Sequence, residues 1–179
     1  MNRTYKSEGV VLKRRNAGEA DRVVTIFTKR FGKVVAVAKG VRKISSRRAG
    51  SLEPATQATI FFAKAKTFDI ITQVQLIDSF PLARKNLPRL TQVNLLLEVV
   101  DSVTREEQDH PQVYEIMVDT LRQLNTNGSK RQLLVKNITA IIENLGFGKP
   151  KNSSESALKH HIEDITDREL RSKKMLTTQ

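Results

Sequence analysis

Five basic side chains crowd into ten positions, KGVRKISSRR from Lys39 to Arg48, with no acid among them. Arg42, Arg47 and Arg48 each carry a planar fork of donors that matches phosphate oxygens, and Lys39 and Lys43 add point charges. Such a run is suited to recognising a polyanion, with no bond made or broken. Arg14, Lys29, Arg30 and Lys33 carry the same sign in the flanking sequence, and Lys64 and Lys66 follow later. Arg15 and Arg22 are further phosphate candidates. A solvated loop that merely keeps the chain soluble is the plain alternative.

Catalytic chemistry finds little support. The chain has no cysteine, hence no thiolate nucleophile, no disulfide and no Cys-based zinc site. No nucleophile elbow, Walker loop, HExxH or dinucleotide fingerprint occurs. His160 and His161 are adjacent on a predicted helix and point about 100° apart, so they cannot chelate as an i, i+4 pair would. His110, before Pro111, reads as a helix-start residue. In RNAGEADR, Glu19 and Asp21 are expected to pair with the flanking arginines and fix a turn. A non-enzymatic protein without cofactor or metal is expected.

The 179 residues carry 31 Lys and Arg against 19 Asp and Glu, a net charge of +12. Residues 1–80 hold 16 of those bases but only six of the acids, and most of the aromatics: Tyr5, Phe27, Phe31, Phe61, Phe62, Phe68 and Phe80. That pairing of charge and ring faces favours nucleic acid over a membrane surface. Phe27 and Phe61 read as core, Phe31 as a base-stacking candidate. The chain lacks both a run of about 18 apolar residues and a signal-peptide pattern, so a cytoplasmic, nucleoid-associated protein is expected.

The elements that must position these residues differ between the halves. Runs rich in Val, Ile, Thr and Phe at 8–15, 22–29, 33–41, 56–64 and 69–78 read as strands. A tight turn at 30–32 joins the second and third, and a long exposed loop from 42 to 55 joins the third and fourth. Five short strands with one long basic connection predict an OB-fold over 1–80. Residues 81–179 predict an all-α domain, giving an α+β chain in two parts. Its first helix, over 86–106, is read as amphipathic through Leu87, Leu90, Val93, Leu97, Val100 and Val103. A second starts at Pro111, a third at Ser129, and a fourth is capped by Asn152 with Glu155 three residues on.

The blocks GEADR, FTKRFGK and AKGVRKISSRRAGSLEP resemble the N-terminal OB domain of the RecO family of bacterial DNA recombination and repair proteins. DSFPLARKNLPRL and ELRSKKML are similar to that family's helical domain. The resemblance implies a mediator that binds single- and double-stranded DNA, anneals complementary strands, and works with RecR and the single-strand-binding protein to place RecA on coated DNA. It also implies that the helical half docks that protein's C-terminal tail, for which Arg168, Arg171, Lys173 and Lys174 are the candidate cations. Many members carry a four-cysteine zinc module where this chain runs LGFGKPKNSS. A scaffold that grips an acidic partner without nucleic acid is the competing reading.

Overall fold

A computed structural model describes residues 4–170 other than 45, 47, 86 and 127–130. It divides into two units, Met1–Ser79 with Arg105–Pro111, and Phe80–Thr104 with Gln112–Gln179.

The first unit is a closed barrel of five strands in the order β1-β2-β3-β5-β4, the OB-fold expected from the sequence. These are β1 (Thr4–Ala17), β2 (Asp21–Thr28), β3 (Gly32–Ala38), β4 (Gln57–Ala63) and β5 (Asp69–Asp78). The 14 residues of β1 serve two neighbours. Its first half pairs with β4 from Thr4↔Ala63 to Val10↔Gln57, its second with β2 from Gly9↔Thr28 to Ala17↔Asp21. A register shift between Val11 and Lys13 lets the strand bend from one sheet edge to the other. β3 closes onto β5 in parallel over Ala36↔Asp69 and Val37↔Ile70. Alternation puts Val11, Val24, Ile26, Val34, Ala36, Ile60, Phe62 and Ile71 into one interior cluster.

The connection that follows the first helix adds to this barrel. Glu106 forms a parallel bridge with Lys33, and the Glu107 N–H donates to the Lys33 carbonyl at 3.2 Å. Gly32 makes the approach possible. Its φ is +63°, and a Cβ there would collide with the backbone of Gln108.

The second unit holds α1 (Leu87–Val103), α2 (Pro111–Leu124), α3 (Arg131–Asn144) and α4 (Glu155–Thr166). α1 corrects the amphipathic reading. Val93, Leu95, Leu96, Leu97, Val99 and Val100 are all buried while Leu87 is exposed, so it is enclosed on most sides. It packs against α3 and α4. α2 buries Val113, Met117, Leu121 and Leu124 as its spacing predicts. Asn137 of α3 donates to Thr120 and Gln123 of α2 at 3.0 and 2.9 Å. The cap of α4 is Ser154, whose Oγ accepts from the Ala157 N–H, and the Asn152 side chain instead accepts from the Ser154 N–H. The expected start of α3 at Ser129 lies outside the described residues.

Gly32→Ala should lower stability by about 2 kcal/mol or more, from left-handed strain together with the collision. Urea melts of the two proteins check this, and equal midpoints would show that residues 105–111 do not hold their place on the barrel.

Candidate nucleic-acid interface

The connection from β3 to β4 is anchored at both ends. Val41 and Leu52 are fully buried in the barrel core and fix the two ends of the connection. Gly40 turns the chain at φ +64°, and its N–H donates to Asp21 Oδ1 at 2.7 Å. The Arg42 N–H reaches the Ala20 carbonyl at 2.9 Å, and its Nη1 the Gly18 carbonyl at 3.0 Å. The basic loop therefore lies along the β1–β2 turn. Glu53, just past a short 3-10 turn at Gly50–Leu52, accepts from Arg14 Nε at 2.8 Å and Arg22 Nη1 at 3.1 Å. This corrects the expected pairing within RNAGEADR: Asp21 caps a backbone turn, and Arg22 pairs with an acid from the far end of the loop.

Arg48 does something its sequence does not announce. Its Nη2 donates to the Lys39 carbonyl at 2.7 Å, and its Nη1 to the carbonyls of Ile71 at 2.9 Å and Thr72 at 3.4 Å. The guanidinium thus fastens the loop to β5, and its donors face carbonyls within the barrel unit. Arg15, Lys39 and Lys43 are exposed and make no ion pair among the described residues, and Arg42 is exposed beyond its single carbonyl contact. Arg47 lies outside the described residues.

Lys29, Arg30 and Lys33 stand elsewhere. They flank the β2–β3 turn, where Thr28 Oγ1 donates to the Gly32 carbonyl at 2.8 Å and accepts from the Phe31 N–H at 3.0 Å. The eight residues of β2 separate this turn from the basic loop by about 23 Å at the usual strand rise. The cations drawn together in sequence thus form two groups at opposite ends of one hairpin. Exposed Glu106, Glu107 and Asp109 come to the turn group with the bridge at Lys33 and reduce its field, so the loop end carries the stronger positive potential.

The rings are also redistributed. Phe31, expected to be open for stacking, meets Tyr5 edge-on at 4.7 Å and packs against the core, with the Arg30 guanidinium 5.6 Å from its centroid. Tyr5 stacks on Phe62 at 4.7 Å. Phe27 is fully buried as expected, whereas Phe61 is only partly buried and has Lys6 Nζ 5.6 Å from its ring centroid. The Tyr5 hydroxyl donates to Asp69 Oδ2, which also holds Lys64 Nζ at 3.3 Å. Burial, then the bond to Asp69 and the negative charges of Asp69 and Glu107, push the Tyr5 phenol well above its ordinary range.

In the helical unit α4 ends at Thr166, with Asp167 left-handed at φ +50°. Arg168 is therefore exposed beyond the helix and not in its last turn, and Leu170 is buried. Arg171, Lys173 and Lys174 lie outside the described residues. His160 Nδ1 sits 2.9 Å from the Ser156 carbonyl and His161 Nε2 3.1 Å from the Phe147 carbonyl. Among the described residues no three His, Asp or Glu side chains gather to hold a metal ion, and no helix is long and apolar enough to cross a membrane.

Residues 1–80 match the family model "Recombination protein O N terminal", and residues 84–153 match "Recombination protein O C terminal". α4 lies past the second match. The chain is 36% identical over 128 residues to the DNA repair protein RecO of Roseiflexus sp. (strain RS-1), covering 72% of this chain and 45% of that protein. It is 38% identical over 122 residues to that of Frankia casuarinae (67% and 50%), and 37% over 124 residues to that of Nostoc sp. (strain PCC 7120) (69% and 42%). These matches span about half the length of the curated relatives.

Two neighbouring loop cations should separate by role. Arg48→Ala, which strands three carbonyls, should cost about 2 kcal/mol, whereas Lys43→Ala should leave the melting midpoint unchanged. A neutral Arg48→Ala in thermal melts would remove the fastening role. Tyr5 adds a pH signature. Because its folded pKa is raised, its contribution is full below the unfolded value of about 10 and is lost as pH climbs from there toward the folded value. Wild type should therefore lose more stability than Tyr5→Phe in urea melts taken above about pH 10.

Proposed function

The chain belongs to the RecO family, and on that premise we propose that it is a DNA-binding repair protein that works through the loop end of its barrel. It holds single and double strands, anneals complementary strands, and assists RecA loading on DNA coated by the single-strand-binding protein. The observation that carries this reading is the exposure of Arg15 at the end of β1 and of Lys39, Arg42 and Lys43 on the adjoining loop, which Arg48 fastens to β5.

The mechanism is electrostatic. Phosphates that meet these cations release their counterions, and two neutralised strands approach one another while their bases stay free to pair. No group need accept a proton or attack a bond. RecR and the single-strand-binding protein are the proposed partners. For the latter's acidic tail, exposed Arg168 supplies one described cation; buried Leu170 leaves the apolar contact to other residues.

An annealing assay with complementary oligonucleotides, bare and coated with single-strand-binding protein, tests the reading directly. Binding to acidic peptides with no binding to DNA would replace it with the scaffold alternative. In the variant Arg15→Ala, Lys39→Ala, Lys43→Ala, the plot of log affinity against log salt for a single strand should become shallower by about 2, at about 0.7 per lost phosphate contact. Its thermal midpoint should be unchanged, and an unaltered slope would move the DNA path off this loop.

A further inference from the structure

Four residues lie in a row across the barrel wall on neighbouring segments: Lys39 after β3, Thr72 on β5, Phe61 on β4 and Lys6 on β1. Hydrogen bonds and register establish the adjacency. One guanidinium, that of Arg48, binds the carbonyls of both Lys39 and Thr72. Thr72 Oγ1 donates to the Phe61 carbonyl at 3.2 Å, and Phe61 is the cross-strand partner of Lys6.

The row crosses a defect in the sheet. β4 and β5 pair as Phe61↔Gln73 and then Phe62↔Ile71, so Thr72 is an extra residue at a bulge. The bulge lies beside a pocket of about 390 Å³ lined by Thr4, Tyr5, Lys6, Phe61, Phe62 and Thr72. That volume is in the range of small-ligand sites. Its chemistry is specific: a partly open phenyl ring, two threonine hydroxyls and one lysine, Lys6. Asp69, the nearby acid, is already engaged by Tyr5 and Lys64.

We infer that this pocket is a stacking site for an unpaired nucleobase of single-stranded DNA, with Phe61 beneath the base and Lys6 and Lys39 on its flanking phosphates. It lies on the β1–β4–β5 wall, and its lining Tyr5 borders the β2–β3 turn through Phe31. A peptide would find no acceptor-rich edge here, whereas a nucleotide brings a flat π-face for the ring and negative charge for both lysines. Lys6 Nζ, 5.6 Å from the ring centroid, moves to the phosphate as the base takes the ring face. The interior of a duplex cannot use the site, because both faces of each base there are already stacked. Arg48 makes the row continuous with the basic loop by joining the Lys39 carbonyl to the bulge. This inference rests on the DNA-binding reading and specifies which state of DNA the barrel distinguishes.

The chain has no tryptophan, so Phe61→Trp gives a single indole reporter at the site. An oligothymidine of about 16 nucleotides, the upper site size for one OB-fold, should quench it, and a blunt duplex of the same length should not. Phe61→Leu keeps a large apolar side chain but removes the π-face. It should weaken single-strand binding roughly tenfold or more, the loss of one stacked base, while leaving duplex affinity and the salt slope unchanged. Lys6→Ala should instead make the single-strand slope shallower by about 0.7. Wild-type affinity in Phe61→Leu, or an equal loss for both DNA forms, would overturn the stacking site and leave the DNA-binding reading standing. A wild-type protein that binds no oligonucleotide at all would overturn both.

Discussion

The barrel closes across its weakest seam, the parallel pairing of β3 with β5, which spans only Ala36↔Asp69 and Val37↔Ile70. Two register positions cannot by themselves seal a five-stranded barrel. On one side of the seam Arg48 bridges the carbonyls of Lys39, Ile71 and Thr72; on the other, residues 105–111 supply a strand-like bridge at Lys33. Both additions satisfy backbone groups that an open edge would leave exposed. Asp69, the first residue of β5, is held in addition by the Tyr5 hydroxyl and Lys64.

These seals decide which cations face outward. Arg48 turns inward to carbonyls, and in doing so pins the loop that presents Arg42 and Lys43. The acidic run at 106–109 covers the open edge of β3 and brings negative charge to the β2–β3 turn, which weakens that turn as a phosphate site. The structural solution to barrel closure thereby concentrates positive potential at one end of the hairpin. The phosphate binding proposed for that end needs only exposed charge, which costs the fold little because solvated side chains contribute little to stability.

The bulge at Thr72, where β5 runs beside β4, brings ring, hydroxyl and cation together. Phosphate contacts on the loop carry no preference between one strand and two, whereas a stacking face admits only unpaired bases. An annealing protein needs both properties: nonselective grip on the backbone and release once bases have paired. In the function proposed above, the loop and the pocket divide that work between charge and stacking.

By itself the sequence determined the composition of the problem. Val and Ile alternation with a helix-period second half fixed five strands followed by four helices, and the uncompensated KGVRKISSRR run marked the loop proposed to meet phosphate. These are local properties, set by period and by charge density along the chain. Only the tertiary structure decided the assignments. Arg48 and Arg42 look alike in sequence, yet one meets three carbonyls because β5 arrives beside it, 23 residues later. Phe31 packs against the core and Phe61 does not become a core residue because burial depends on which strand lies across from each: Tyr5 covers Phe31, while a bulge opens beside Phe61. The partner that dictates each role is distant in the chain, and no local pattern encodes its arrival.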